Sequence, residues 1–390
     1  MADTRGVAVR MAALQGIYWC AVASVASYAT AMFNAEGVSA GRIGLVVLIY
    51  TGGGFLGQFL IGALADRMRT DRGVFIAGML LAIPLGFGVV FLREFWLRVA
   101  CLGLMGVLII PCAPVLDTWF FKGLPDAPAR YGGVRATGSL AYAVYCAVYS
   151  LALERFGYAV MPWVNLGMTA ALIAVAVTVP DVDPASFSDP AERKERPGFR
   201  EAAKTILRSR DLMLVYLALL FTGIGIGSLL QMLPVLLEAV GGDVSVQGLT
   251  ILLACLLEAV FVLLNGKLLR VPDVALLAGG AGSGALLLLG VGAARSVFWV
   301  VTACTFRGVS YALTLLGMRR VLLRLAPPEL VNTASNVGDG LYVCLGAMLG
   351  SLMSGWLLET GGAPLMGAVC AAFEAAAFLM LIPVMRKKPG

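Results

Sequence analysis

The residues best placed to do chemistry are ionisable side chains inside long apolar runs. Glu258 sits within ILLACLLEAVFVLLNGK, and Arg307 within FWVVTACTFRGVSYALTLLG. Asp117 follows Pro114 in PVLD, Asp339 follows SNVG, and Glu374 interrupts AAFEAAAFLM. A charge at such a position is costly and normally faces a partner or a water-filled cavity. Burial favours the neutral acid and a nearby cation favours the carboxylate, so a carboxyl held between the two can take up and release a proton. Glu258 is the leading candidate for that role, with Asp117 and Asp339 as further proton-coupling candidates. Asp339 is equally readable as an ion-pair partner of Arg319, and Glu374 as a lipid-facing or structural acid ranked below Glu258. Arg307 is the basic residue lying deepest in an apolar run. Its planar fork of donors suits a carboxylate, either that of Glu258 or one belonging to an anionic solute.

Polar and aromatic residues supply candidates for a binding surface. Gln15 and Trp19 lie four residues apart and share a helix face. Tyr142, Tyr145 and Tyr149 are spaced by three and four and form one stripe, readable as core packing or as a surface for a ring. Gln231 beside Pro234, Tyr311 and Asn165 are further candidates. A loop-flanking set, Gly62, Asp66, Arg67, Arg72 and Arg135, has the charges to hold a gate in one conformation, and ordinary loop charges would read the same way.

The composition says what must position these groups. The 390 residues are 60% hydrophobic and 13% charged, against about 25% charged in ordinary soluble domains. That much apolar surface cannot be hidden inside a soluble fold. The chain has no histidine, and its eight cysteines include no CxxC pair. Neither a metal site nor a cofactor is expected, nor is nucleic acid a partner, since the charge of +6 is accounted for by loop positions. No phosphate loop or nucleophile motif points to an enzyme. MADTRGVAVR precedes the first apolar run without a cleavage site, and that run reads as a retained helix.

Twelve apolar runs are long enough to span a bilayer, which takes roughly 20 helical residues. They fall at about 11–33, 42–64, 73–92, 95–115, 133–153 and 159–179, then at about 212–236, 246–266, 273–292, 297–318, 332–357 and 363–384. The expected fold is an all-α polytopic membrane protein with twelve transmembrane helices in two pseudo-symmetric six-helix bundles, 1–180 and 212–390. The stretch 181–211 joins them as a linker, with an amphipathic helix over Gly198–Arg210 and a Pro-rich start that permits relative motion. Basic residues concentrate in alternate loops, so the positive-inside rule places both termini and the linker in the cytoplasm. The setting expected is a bacterial inner membrane, and the chain is expected to act as a monomer.

Two stretches carry a family resemblance. Gly62-Ala-Leu-Ala-Asp66-Arg67, with Arg72 beyond, resembles the loop signature GxLaDrxGrr of the major facilitator superfamily. Arg69 and Thr70 stand where the second glycine is usual. Gly266, Leu268 and Arg270 form a fainter second copy without the aspartate. Pro114-Val-Leu-Asp117 followed by Tyr131-Gly-Gly-Val-Arg135-Ala-Thr-Gly138-Ser139 resembles the P-x-x-D and YGRxRxWGSxGF pattern of the sugar, nucleoside and phenylpropionate proton-symporter branch, with Gly133 and Thr137 in place of its first arginine and its tryptophan. Glu258 resembles that branch's acidic residue. The resemblance implies proton-coupled symport of a small organic solute by alternating access. The same architecture accommodates a proton-driven exporter of drug-like or siderophore-like compounds, or an uncoupled facilitator.

Overall fold

The computed structural model describes residues 4–124, 127–181, 209–227, 229–263, 271–327 and 330–386. The expected amphipathic helix over Gly198–Arg210 and the fainter signature copy at Gly266–Arg270 lie largely outside these residues. Among the described residues the regular structure is helical, without strands.

The helices are α1 (Thr4–Val25), α2 (Ala29–Ala35), α3 (Ala40–Met68), α4 (Asp71–Phe91), α5 (Phe95–Ile109), α6 (Cys112–Gly123), α7 (Ala127–Phe156) and α8 (Met161–Ala176). There follow α9 (Arg210–Ile226), α10 (Leu229–Glu238), α11 (Val244–Leu263), α12 (Asp273–Ala293), α13 (Val297–Thr305), α14 (Arg307–Leu325), α15 (Val331–Asp339), a π-helical turn (Gly340–Gly346) and α16 (Ala347–Met385). Several pairs make one span each. In the fourth span, α5 gives way to α6 at Pro111, which lacks the N–H an unbroken helix needs. In the tenth, α13 gives way to α14 at Phe306.

Among the described residues, eleven helical stretches are apolar and long enough to cross a membrane. The last, Ala334–Met385, has 52 residues, about 78 Å of helix against a hydrocarbon core of about 30 Å. Gly362 breaks it, with φ of 66° that other residues rarely adopt. The stretch is therefore two spans, and the chain is a twelve-span membrane protein.

The chain forms two compact units. The first comprises Met1–Glu36 and Ile49–Arg193, the second Gly37–Leu48 and Lys194–Gly390. Gly37–Leu48, which by sequence falls within 1–180, thus packs with the second unit. There the Glu359 carboxylate accepts from Gly41 N at 2.9 Å and Ser39 Oγ at 3.1 Å.

Within the first unit the α3–α4 turn is closed by Thr70, which caps α4 by accepting from Gly73 N at 2.8 Å. Arg69 takes the left-handed conformation there, φ 53°, a cost of about 1 kcal/mol or more for a residue with a Cβ. Arg69→Gly is therefore expected to raise the unfolding free energy by about 1 kcal/mol, read as an increased Tm of the protein in lipid nanodiscs. A lower Tm would show that the arginine side chain outweighs the backbone.

The beginning of the linker is fastened to the same unit. Thr70 Oγ1 donates to Asp181 Oδ2 at 2.5 Å, and Arg72 Nη1 to Val179 O at 3.2 Å. Trp119 Nε1 donates to Pro180 O at 2.9 Å. Pro180 and Asp181, at the start of the linker, are thus held to the first unit.

Candidate functional site

In the first unit the site begins with a broken helix. Because α5 stops before Pro111, Ala113 N turns to Ile110 O at 3.4 Å. The Ile109 carbonyl accepts instead from the buried Tyr18 hydroxyl at 2.8 Å. That bond pins α1 against the α5–α6 junction. It brings Gln15, one turn earlier on α1, beside Asp117 on α6.

Gln15 Nε2 donates to Asp117 Oδ1 at 2.7 Å, and the Tyr131 hydroxyl donates to Asp117 Oδ2 at 2.9 Å. Arg135 Nη1 donates to Gln15 Oε1 at 3.4 Å. Asp117 and Arg135 therefore communicate through the Gln15 amide and do not form the direct pair that their charges suggest. The Arg135 guanidinium lies 5.1 Å from the centre of the Trp19 ring, close enough for a cation–π contact. Gly138 lets that ring in, since a Cβ there would stand 2.8 Å from Trp19 Cδ1. The indole N–H of Trp19 is buried without a hydrogen-bond partner.

The tyrosine stripe divides. Tyr142 packs edge-on to Trp19, with centroids 6.3 Å apart, and shares a 3.2 Å hydrogen bond with Ser27 Oγ. Tyr145 shares one of 2.6 Å with Ser24 Oγ. Tyr149 is buried, stacks on Tyr145 at 5.0 Å, and donates to Ser24 O at 2.9 Å. Its hydroxyl is committed to holding α1 on α7. Asn165 is likewise buried and donates to Ala21 O at 2.8 Å.

In the second unit the site is a helix crossing. Asp243 caps α11, accepting from Ser245 Oγ at 2.5 Å, Ser245 N at 3.0 Å and Val246 N at 3.1 Å. The Ser245 hydroxyl, with these amides, holds its carboxyl below the usual aspartate range. Farther along, α11 crosses α14 at Gly308, where a Cβ would stand 2.7 Å from Glu258 N. Only a glycine allows the two backbones this close. The crossing brings Glu258 near Arg307, the first residue of α14 after the break. The two are close enough to feel each other's charge, yet no hydrogen bond or ion pair between them occurs among the described residues. Arg307 Nε is buried and unpartnered. The guanidinium lies 5.1 Å from the Tyr311 ring centre, and Tyr311 stands 6.2 Å from Tyr342 of the π-helical turn.

Asp339 differs from Glu258 in having a fixed partner. Arg319 Nη2 lies 2.8 Å from its Oδ2, with both side chains partly exposed. Gln231 lies partly buried on α10.

The model of the MFS_1 like family matches residues 9–366. The chain belongs to this family of the major facilitator superfamily. Its relatives are transporters and not enzymes. A maltose permease of Geobacillus stearothermophilus is 26% identical over 334 residues, covering 83% of this chain and 81% of the permease. Among solved structures, the nucleoside transporter NupG superposes with a TM-score of 0.81 at 12% identity, covering 98% of this chain and all of NupG. The human organic anion transporter MFSD10 (TETRAN) gives 0.66 at 16% identity, covering 98% and 100%. At these identities the solved structures speak for the fold.

Gly62 lies inside α3 with no described atom within 4 Å of where a Cβ would stand. Close approach on the same helix is made at Gly53, whose Cβ would meet the Gly103 backbone. Arg67 is exposed near the end of α3, while Arg72 is tied to Val179. The side chain of Asp66 lies outside the described residues.

In the sequence, Gly308 is marked only by its neighbour Arg307, and Tyr342 and the glycines around Glu374 carry no local signal.

Proposed function

We propose that the chain is a proton-coupled symporter of a small organic solute, working by alternating access in a bacterial inner membrane, as a monomer with both termini in the cytoplasm. The observation that carries this reading is the α11–α14 crossing. A carboxyl and a guanidinium are held near one another there without being bonded, so Glu258 has freedom to exchange its proton and Arg307 has donors to spare. A salt-bridged pair such as Arg319–Asp339 offers neither.

Glu258 takes a proton from outside, the solute binds, the protein reorients, and the proton leaves inside. Arg307 tunes the acid or holds a negative group of the solute. In the first unit, Trp19, Arg135, Gln15 and Tyr142 offer an aromatic face edged with donors, suited to a sugar, nucleoside or aromatic acid. Relatives described as a maltose permease and a nucleoside transporter support the first two classes.

The test is uptake of radiolabelled maltose, uridine and phenylpropionate into proteoliposomes under an imposed inside-alkaline gradient. Accumulation of one of them, abolished by a protonophore, is the expected result. Accumulation indifferent to collapse of the gradient would contradict symport.

A further inference from the structure

Glu374 stands in the 363–385 arm of α16, apart from the Glu258–Arg307 pair. Its side chain is fully buried, at 0% exposure, and neither carboxyl oxygen has a hydrogen-bond partner. The space it fills is made by glycines of two other helices. A Cβ on Gly225 of α9 would stand 2.8 Å from Glu374 Cγ, and one on Gly284 of α12 would stand 3.0 Å from Cδ. Bare backbone on two sides admits a carboxyl that ordinary side chains would exclude.

The groups around it are nearly all neutral. Thr222 of α9 approaches the carboxyl without a hydrogen bond of regular geometry. Ser310 of α14 adjoins the same glycine, but its hydroxyl donates to Gly280 O at 2.9 Å. Cys370, one turn earlier on the same arm, shares a 3.6 Å contact with Ser354 Oγ.

None of the charged and titratable groups on the packed elements is hydrogen-bonded to the Glu374 carboxyl. On α9 they are Arg210, Asp211 and Tyr216, near its start. On α12 the charged residue is Asp273, which pairs with Arg324 at 3.5 Å. On α14 they are Arg307, Tyr311, Arg319, Arg320 and Arg324, and on the π-helical turn Tyr342 and Cys344. Tyr342 packs against Tyr311, with ring centroids 6.2 Å apart. It sits on a π-helical turn, an irregularity that concentrates at functional sites.

A carboxylate in such surroundings, without a cation against it, is strongly disfavoured relative to the neutral acid. We propose that Glu374 is a second proton-binding site, buried in the second unit apart from the Glu258–Arg307 pair. The proton on Glu374 does not depend on the proton coupling proposed above; only its being a second site does.

The experiment is infrared spectroscopy of the full chain in lipid nanodiscs at neutral pH. The expected result is a carboxylic-acid carbonyl band, slow to exchange in D2O, that disappears in Glu374→Gln and persists in Glu258→Gln. A band indifferent to Glu374→Gln overturns the proposal. Its conversion to a carboxylate band when sodium replaces potassium also overturns it, by making the site a cation site. If Glu374→Gln does not fold, Glu374→Asp serves in its place, with a shifted band expected and an unshifted one contradicting the assignment. Failure of proton-driven uptake would leave the Glu374 band in place, so the two readings fail separately.

Discussion

Glu258→Gln is expected to abolish net proton-driven uptake while solute exchange across the membrane continues. The glutamine keeps the size and hydrogen-bonding shape of the neutral acid but has no proton to lose. Its neighbour Arg307 then faces a permanently neutral group. The carrier can still bind solute and reorient in the protonated-like state, which is all that exchange demands. Net uptake also requires return after the proton has left, and the variant has no such state. Counterflow of labelled solute in proteoliposomes should therefore stay near the wild-type rate, while gradient-driven accumulation falls to that of protein-free vesicles. Intact accumulation would remove Glu258 from the mechanism. Loss of both activities would point to damage at the α11–α14 crossing, which Gly308 keeps close.

Arg98→Ala is expected to give the largest loss of stability. Arg98 is 8% exposed, and its guanidinium is almost fully engaged. Nε donates to Val89 O at 2.7 Å, and Nη1 and Nη2 donate to Glu36 Oε2 and Oε1 at 2.5 and 2.8 Å. The same group lies 4.7 Å from the Phe33 ring centre. It therefore joins α2, the end of α4 and the start of α5. Removing one partner of a buried pair costs about 3–5 kcal/mol. Glu36 is 42% exposed and can rehydrate, which brings the expected loss to about 2–3 kcal/mol. Arg98→Lys should recover little of it, because an ammonium cannot make the two-pronged contact with Glu36 and also reach Val89. Thermal unfolding in nanodiscs reads both variants, and an unchanged Tm in Arg98→Ala would contradict the role.

Much of the fold is legible in the chain because membrane spans are written in local composition. Apolar runs give the twelve crossings, including the two that Gly362 separates. Charges inside those runs stand out, so Glu258 and Arg307 are visible in the sequence as candidates. The near-fourfold spacing of Gln15 and Trp19 correctly put both on one face, and the structure brings that face to Asp117 and Arg135.

What could not be read depends on which helices meet. Gly308 resembles many other glycines until α11 is seen to lie against it. Arg98 reads as one more loop charge until Glu36 and Val89 are brought to it. Tyr149 belongs to a promising stripe, but its hydroxyl is taken up by a carbonyl of α1. Glu374 looks peripheral in the last span because nothing local reveals that Gly225 and Gly284 leave room for it. The π-helical turn that carries Tyr342 likewise has no local signature.

The central claim is that proton and solute move together, with Glu258 carrying the proton. The most direct measurement follows external pH with a dye in weakly buffered proteoliposomes as transported solute is added without any imposed gradient. Alkalinisation of the medium that keeps pace with solute entry, and is absent in Glu258→Gln, is the predicted result. Solute entry with no change of external pH in the wild-type protein would contradict the account.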